Sequence, residues 1–331
     1  MTSRTLWTLL LGLACALGQA PAAFALTCTS VGSSSWSLAA TWTSVGNCNR
    51  VPLAGDDVVI NAGTTTLDTN SAALSTLTVN GALVIGNNAT ARALTVTGSI
   101  VIAATGTISL GATAATHTLT AGGDITNAGS MNLSPGASRF ANVTFNRNGS
   151  QVVSGAGGYT FNLITLNEGA TNANVLDMQA AITVPSPFLT ITNGTYKHSS
   201  TTNITPWTTA GGATIPATGG FWLNSSATVT TGAFDVTING GYLRVSNGTM
   251  NLGSADNVRL VLGDFASTLF QMDGGTMTVP GGINSASGTA ERVSATRIQV
   301  GRACIREYAA PSAKSAAMAG TLLQSSATSS V

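Results

Sequence analysis

From Val58 onward, the chain alternates short runs of apolar and polar residues with turn residues. Runs such as "LTVNGALVI" (Leu77–Ile85) and "ATGTISL" (Ala104–Leu110) carry an apolar residue at about every second position. A period of two is typical of a strand with one buried side. Gly, Asn and Asp bound these runs, as turn residues do. Helical spacing is essentially absent, so the pattern predicts an all-β protein of many short strands.

The turn glycines recur at nearly constant spacing. They are Gly81, Gly106 and Gly129 in the first half and Gly194, Gly220, Gly248 and Gly275 in the second. "NGTMNL" (Asn247–Leu252) and "GGTMTV" (Gly274–Val279) are nearly the same piece, written twice and separated by one such step. A step of roughly 25 residues indicates a solenoid, in which such pieces form the same strand on successive coils.

The repeat length selects among repeat folds. A propeller blade needs about 40 residues or more, and a leucine-rich repeat needs its leucine scaffold. A right-handed parallel β-helix (solenoid) with an N-terminal cap fits, with two or three short strands in each coil. Tandem β-sandwiches are the alternative, which limited proteolysis would separate from a solenoid. We predict a signal peptide at 1–25, a cap at 26–57, β-helix repeats at 58–288 and an atypical tail at 289–331.

The N-terminus has the composition of an export signal. Arg4 precedes the apolar stretch Leu6–Gly18, and Ala23–Ala25 has the small residues of a cleavage site, which would leave Leu26 first. This arrangement predicts a Sec signal peptide, with an uncleaved anchor as the alternative. No later segment is a candidate for a membrane span. The expected location is therefore extracellular or at the cell surface.

Composition narrows the classes of partner. Only 8% of the residues are charged, and the formal net charge is +1. Between Val58 and Asn167 there are five charged residues and no cluster of Lys or Arg. Binding to nucleic acid needs such clusters, so a nucleic-acid partner is not expected.

Export changes the interpretation of the cysteines. Cys28 and Cys48 lie close together in the chain, and an oxidising compartment favours a disulfide between them. A metal site is the weaker alternative, because no histidine lies nearby. Cys304 is left without a partner, in a tail where the alternation stops after Gly288. We interpret this tail as a frameshifted or truncated reading frame, and a disordered or helical tail is the alternative.

The segment after the predicted signal resembles the opening segment of large secreted bacterial β-helix proteins. The residues that carry the resemblance are Trp36, Trp42, Pro52, "GDDVVI" (Gly55–Ile60) and "GTTTLD" (Gly63–Asp68). That group includes G8-like modules, autotransporter-type adhesins and the repeat protein encoded with mannose-sensitive pilus genes. The resemblance implies surface exposure and a role in adhesion or in the matrix. It brings no catalytic motif, so no functional residue is carried over.

The acidic residues do not form a convincing catalytic pair. A glycosidase needs two carboxyl groups about 5–10 Å apart. Asp56 and Asp57 are adjacent and would face opposite sides of a strand. Asp256, Asp264 and Asp273 are separated by much less than one coil. We expect solvated turn residues here, with Asp56 or Asp57 accepting turn N–H groups.

The remaining chemistry is sparse. A lyase would need a basic residue beside a calcium-binding acid cluster, and Arg244 and Arg259 have no such neighbour in the sequence. His117 and His198 are single and far apart, so neither suggests a metal site. We therefore predict no catalytic residue, no cofactor and no metal.

Aromatic residues are concentrated in one third of the chain. Tyr196, Trp207, Trp222 and Tyr242 are candidates for contact with a glycan, because exposed rings stack on sugars. Tyr196 and Trp222 are separated by one step of the repeat and are expected in one column, which Met250 and Met277 would continue. The alternative, which we favour, is an internal aromatic ladder.

These observations favour a non-enzymatic, secreted or surface-displayed β-helix protein, an adhesin-like stalk or binding surface. Its expected partner is a glycan or another extracellular or surface component. A polysaccharide lyase or hydrolase on the same scaffold is one alternative. A structural fragment of a larger surface protein is another.

Overall fold

The computed structural model describes residues 25–43, 48–136, 138–185, 187–204, 207, 211–253, 257–285, 297–300 and 304–306. The predicted signal peptide lies outside the described residues, apart from Ala25. Most of the predicted tail at 289–331 lies outside them as well.

The first half contains a short 3₁₀ helix, Ala39–Trp42, and a long series of strands. In chain order, the strands are β1 Thr27–Thr29, β2 Ser34–Ser35, β3 Asp57–Ile60, β4 Thr64–Leu67, β5 Ala73–Leu74, β6 Thr76–Val79, β7 Ala82–Ile85, β8 Ala93–Val96, β9 Ile100–Ile102, β10 Thr107–Leu110, β11 Ala115–Ala121, β12 Ile125–Asn127, β13 Ser130–Asn132, β14 Arg139–Phe145, β15 Gln151–Ser154 and β16 Gly158–Thr160.

The second half continues with strands of the same kind. They are β17 Ile164–Asn167, β18 Val175–Met178, β19 Ile182–Thr183, β20 Leu189–His198, β21 Ala213–Pro216, β22 Gly219–Leu223, β23 Thr228–Thr230, β24 Val236–Asn239, β25 Tyr242–Val245, β26 Thr249–Asn251, β27 Leu260–Leu262, β28 Leu269–Met272, β29 Thr276–Thr278, β30 Ile283–Ser285, β31 Arg297–Val300 and β32 Cys304–Arg306.

All the pairings between these strands are parallel, and each coil of the chain visits three faces in turn. Face one stacks β1, β3, β6, β9, β12, β15, β18, β20, β22, β25, β28 and β31. Face two stacks β2, β4, β7, β10, β13, β16 and β19, and later β23, β26, β29 and β32. Face three stacks β5, β8, β11, β14, β17 and β20, and later β21, β24, β27 and β30. The protein is a parallel β-solenoid, as the sequence predicted.

The alternation in the sequence sets which side chains fill the interior. Successive strands of face one place Val58, Leu77, Ile100 and Ile125 at one position, one above the other. All four side chains are buried, whereas the residues that precede and follow each of them along its strand face outward. Because coils stack about 4.8 Å apart, each apolar side chain packs on its equivalents above and below.

Repeated glycines mark corners where coils approach closely. Gly81, Gly106 and Gly129 directly precede paired residues of β7, β10 and β13 and form a column. A Cβ atom on Gly129 would lie 2.1 Å from the carbonyl oxygen of Gly106. Only glycine therefore allows this backbone approach.

The predicted column of second-half glycines holds for one pair only. Gly248 and Gly275 precede paired strands of face two, as "NGTMNL" and "GGTMTV" suggested. Gly194, however, pairs with Gly219 and not with Gly220. Gly220 itself lies in a strand of face one. Because the corner loops differ in length, the coils differ in length as well. Glycines at a nearly constant spacing in the sequence therefore do not occupy the same position on every coil.

Residues 26–57 join the solenoid through β1 and β2, which pair with β3 and β4. Cys28 and Cys48 form the predicted disulfide. Trp36 and Trp42 are fully buried and meet edge to face, with ring centroids 4.8 Å apart. The Trp42 indole N–H donates to the carbonyl oxygen of Trp36 at 2.9 Å.

Asp56 joins this N-terminal segment to the first coil. Its buried carboxylate accepts hydrogen bonds from the backbone N–H of Leu26 at 2.9 Å and of Leu53 at 2.8 Å, and it forms an ion pair with Arg50. Burial alone would raise the pKa of Asp56, but these hydrogen bonds hold it below its usual value. The expectation that Asp56 or Asp57 accepts turn N–H groups is confirmed for Asp56.

Two strands are described within 289–331. The backbone of β31 pairs with β28 on face one, and that of β32 pairs with β29 on face two. The coil pattern therefore reaches Arg306. The origin of the tail stays a prediction.

We expect Trp42→Ala to lower the free energy of unfolding by about 3–5 kcal/mol, because a fully buried ring and its hydrogen bond are lost. Urea unfolding followed by circular dichroism measures this change. Leu38→Ala is the control, since Leu38 lies in the same segment and is 52% exposed. It should change the free energy by less than about 0.5 kcal/mol. Equal losses in the two variants would contradict a structural role for the tryptophan pair.

Candidate functional site

A group of aromatic and charged side chains lies on the outer side of face one. The pairing of five successive strands places one residue of each strand in a single row. The row consists of Asp177, Lys197, Trp222, Arg244 and Gln271. We call these residues, together with Tyr242 and Asp273, the outer patch.

Trp222 is held between two cations. Lys197 lies on the preceding strand, and its Nζ is 4.8 Å from the centroid of the Trp222 ring. Arg244 lies on the following strand, and its Cζ is 4.4 Å from the same ring. The indole N–H donates to the Ser246 hydroxyl at 2.8 Å. Cation–π attraction therefore holds the ring from both sides, and only part of it is open to solvent.

Each cation is in turn paired with a carboxylate. Lys197 Nζ lies 3.0 Å from Asp177, and Arg244 Nε lies 2.6 Å from Asp273. Partial burial would raise the pKa of Asp177, but hydrogen bonds from side chains that include Lys197 and Gln179 bring it below its usual value.

Asp273 is held in the same way at the other end of the row. Partial burial would raise the pKa of Asp273, but hydrogen bonds from Gln271, Arg244 and Ser246 lower it. The outer patch therefore contains two ion pairs, Lys197 with Asp177 and Arg244 with Asp273, one on each side of Trp222.

Tyr242 lies across the neighbouring strand at Gly220. A Cβ atom at Gly220 would be 2.5 Å from the Tyr242 ring, so glycine is required beneath this ring. Burial raises the pKa of Tyr242, and the side chain of Thr195, two strands away, and the charge of Arg244 oppose this rise. Tyr242 is partly exposed and lies beside the row of the outer patch.

The other two candidate aromatics belong to the core. Tyr196 is fully buried and Trp207 is 2% exposed, so neither ring reaches the surface. Phe221 lies between them, with ring centroids 4.3 Å from Trp207 and 5.5 Å from Tyr196. The favoured internal ladder is therefore confirmed for these three rings and is wrong for Trp222 and Tyr242, which face outward and are partly exposed.

The expected Tyr196–Trp222 column is wrong by a single position. Tyr196 pairs with Phe221, and Trp222 pairs with Lys197. Because successive side chains of a strand face opposite sides, this shift places Tyr196 inside and Trp222 outside. Met250 and Met277 are buried on face two and do not continue either row.

Both histidines are buried and hydrogen-bonded. His117 Nδ1 accepts from the backbone N–H of Arg92 at 3.0 Å. His198 Nε2 donates to the carbonyl oxygen of Thr202 at 2.8 Å. Burial lowers the pKa of both rings, and the charge of Arg92 lowers that of His117 further. The side chains of both residues are almost completely inaccessible to solvent.

The described residues contain one group with the spacing of metal ligands, namely Cys28, Cys48 and Asp56, whose ligand atoms lie within 4.8 Å of one another. The two sulfur atoms are joined to each other, and neither offers a thiolate. The group is therefore explained by the disulfide and the ion pair of Asp56. Of the other acidic candidates, Asp256 lies outside the described residues, and Asp57 accepts a hydrogen bond from the Thr76 hydroxyl at 2.7 Å.

A depression of about 290 Å³ lies on the corner that leads into face three. It is lined by Gly211, Ala233, Phe234, Asp235 and Asn257. Phe234 is 41% exposed, and Asp235 accepts a hydrogen bond from the backbone N–H of Arg259 at 2.8 Å. No pattern in the sequence indicates this depression, because its residues come from three successive turns.

The fold and the outer patch define the protein as a disulfide-bonded parallel β-solenoid with a partly aromatic outer face. Residues 41–144, in the first coils, match the family model of the G8 domain. Searches of curated proteins and of solved structures gave no match. The resemblance to G8-like modules is thus confirmed for 41–144, whereas the resemblance to adhesins and to the pilus-associated repeat protein stays a prediction.

No helix in the described part of the chain is long and apolar enough to cross a bilayer.

We expect Trp222 and Arg244 to be energetically coupled. Trp222→Leu, Arg244→Met and the double variant should give a coupling free energy of about 0.5–1 kcal/mol in a double-mutant cycle, because each single change removes the same cation–π contact. Urea unfolding supplies the four values. The matched pair Trp222 and Arg259, whose arginine lies in the corner loop directly before β27, should show no coupling. Equal coupling in the two cycles would rule out a specific contact.

We expect the buried His198 to make the fold sensitive to acid. Its folded pKa is lowered, so the stabilisation is present above the unfolded pKa of about 6.5 and is lost as pH falls below it. Relative to His198→Gln, the parent protein should lose at most about 1.4 kcal/mol per pH unit. Denaturant unfolding between pH 7 and pH 5 measures the difference. Parallel stability curves would contradict the expectation.

Proposed function

We propose that the protein acts outside the cell or on its surface as a non-enzymatic solenoid that presents the outer patch to a glycan. The proposal rests mainly on one observation, which is that Trp222 and Tyr242 are partly exposed among fixed donors and acceptors on a continuous sheet. Trp, Tyr and Arg are the side chains that contribute most to binding surfaces. A G8 domain and a disulfide fit an extracellular protein.

The geometry of the outer patch also suggests how a glycan would bind. Lys197 and Arg244 cover the two faces of Trp222, so a sugar would meet the exposed edge of the indole and the partly exposed Tyr242. Sugar hydroxyls would exchange hydrogen bonds with Gln271 and the paired carboxylates. Such contacts are individually weak, and several copies on one surface would raise the avidity.

The positions of the acids support display over hydrolysis. Asp177 and Gln271 are four strands apart in one row, and Asp273 lies just beyond Gln271. At about 4.8 Å per strand, Asp177 and Asp273 are at least about 19 Å apart. Glycosidase carboxylates lie about 5–10 Å apart. We therefore assign the two acids to holding Lys197 and Arg244.

The test is binding of the purified protein to a panel of glycans and matrix components. We expect binding to at least one component, and we expect the Trp222→Ala/Tyr242→Ala variant to bind at least about tenfold more weakly, because the exposed aromatic surface is gone. Phe265→Ala is the control, since Phe265 is 48% exposed but lies outside the outer patch. No binding by the parent, or equal binding by the variant and the parent, would overturn the proposal.

A second measurement addresses the enzyme alternative. The protein is incubated with pectin, alginate and xylan, and the appearance of reducing or unsaturated ends is followed. The proposal expects none above a heat-denatured sample. If new ends appear only with the folded protein, the protein is an enzyme and the proposed non-enzymatic display is wrong.

A further inference from the structure

One carboxyl group is enclosed in the solenoid without a partner. Glu168 follows β17 and continues its inward positions Ile164 and Leu166. Its side chain is fully buried, and neither carboxylate oxygen has a hydrogen-bond partner. A charge in such a setting is strongly unfavourable, and a buried acid of this kind retains its proton.

Glu168 lies directly beneath the bend of β20. The first part of β20 pairs with β17 on face three, and the last part pairs with β18 on face one. The backbone N–H of Glu168 donates to the carbonyl oxygen of Asn193 at 3.1 Å. A Cβ atom at Gly194 would lie 2.9 Å from the Cβ of Glu168. The side chain and the bend are thus packed against each other.

The charged groups around Glu168 do not neutralise it. Arg147 and Asp124 act on it through space, but they are bonded to each other at 3.4 Å and are each about half exposed. On β18 and β20, Asp177 and Lys197 point outward and pair with each other. His198 of β20 is inside the core, where it donates to Thr202.

The same region is where the side sheets are interrupted. On face two, the first sheet ends at β19, and the next begins with the bridge from Ile204 to Val229. On face three, the first sheet ends at β20, and the next begins at β21. Among the described residues, only face one carries strand pairing across this point, through β18 and the last part of β20. We call this point the junction.

We propose that Glu168 is a proton-controlled latch of the junction. When the carboxyl group carries its proton, it remains in the core and β20 remains paired with β17. When the proton leaves to solvent, the carboxylate moves out toward water and Arg147, and the bend of β20 opens. The coils on either side stay folded, because each contacts only its neighbours.

The direction of the pH effect follows from the burial. Burial raises the pKa of Glu168 from its ordinary 4.5 to about 8, with Arg147 opposing the rise and Asp124 adding to it. A raised folded pKa means that the stabilisation is complete below the ordinary value and is lost as pH rises toward the folded value. The junction should therefore open more often as the pH rises from about 5 to about 8.

The first experiment observes the carboxyl group itself. The chain has three glutamates, Glu168, Glu291 and Glu307, so labelling with δ-¹³C-glutamate gives three carboxyl signals. We expect one signal to titrate near pH 8 and to be missing in Glu168→Gln. The proposal is overturned if all three signals of the parent protein titrate near their ordinary pKa. This measurement on the parent decides the matter even if the variant does not fold.

The second experiment observes the opening. Amide hydrogen exchange of β20, corrected for the intrinsic rate at each pH, should show an opening constant that rises up to about tenfold per pH unit between about pH 5.5 and 7.5. Amides of β6, far from the junction, should not follow this profile. Glu168→Gln should remove this rise with pH from β20 and leave only the opposite, acid-side dependence that His198 of the same strand causes, while the control Asp124→Asn should keep the rise. Identical β20 profiles in the parent and in Glu168→Gln would overturn the proposal.

Discussion

The hydrogen bonding of each coil to the next, in register, is the constraint on which the whole structure depends. It forces equivalent residues into columns about 4.8 Å apart, so each inward position stacks on its own kind, as Val58 does on Leu77. The outward positions obey the same rule. Lys197, Trp222 and Arg244 come together because one strand spacing matches the distance at which a cation rests on a ring.

What could be predicted from the sequence is what depends on local pattern. Alternation along a strand assigns Leu77 and Val79 to the interior without knowledge of any neighbour. The pairing of Met250 with Met277 follows from two nearly identical pieces, each bounded by a turn glycine. The Cys28–Cys48 disulfide follows from the predicted export signal and from the proximity of the two cysteines in the chain. In each case, the information lies within a short segment or in one repeat.

The rest depends on how coils of unequal length are aligned. Phe221 and Trp222 are neighbours in the chain, and each lies about one repeat beyond Tyr196, so a shift of a single position decides which ring is buried. The corner loops set that register, and their lengths follow no fixed period. The environment of Glu168 is also only partly predictable. Its position continues the inward alternation of Ile164 and Leu166, so the pattern indicates an inward side chain and nothing more. Its burial depends on the bend of β20 above it.

The junction also has a mechanical consequence. Tension along the solenoid axis loads the hydrogen bonds between coils directly, because these bonds run parallel to the axis. Over most of the described coils, three sheets share that load, whereas between β18 and β20 the described strand pairing crosses on face one alone. A pulled molecule would yield first at this point and extend by the length of the released corner loops. The coils that match the G8 domain would remain folded on one side of the break, and the outer patch would be divided.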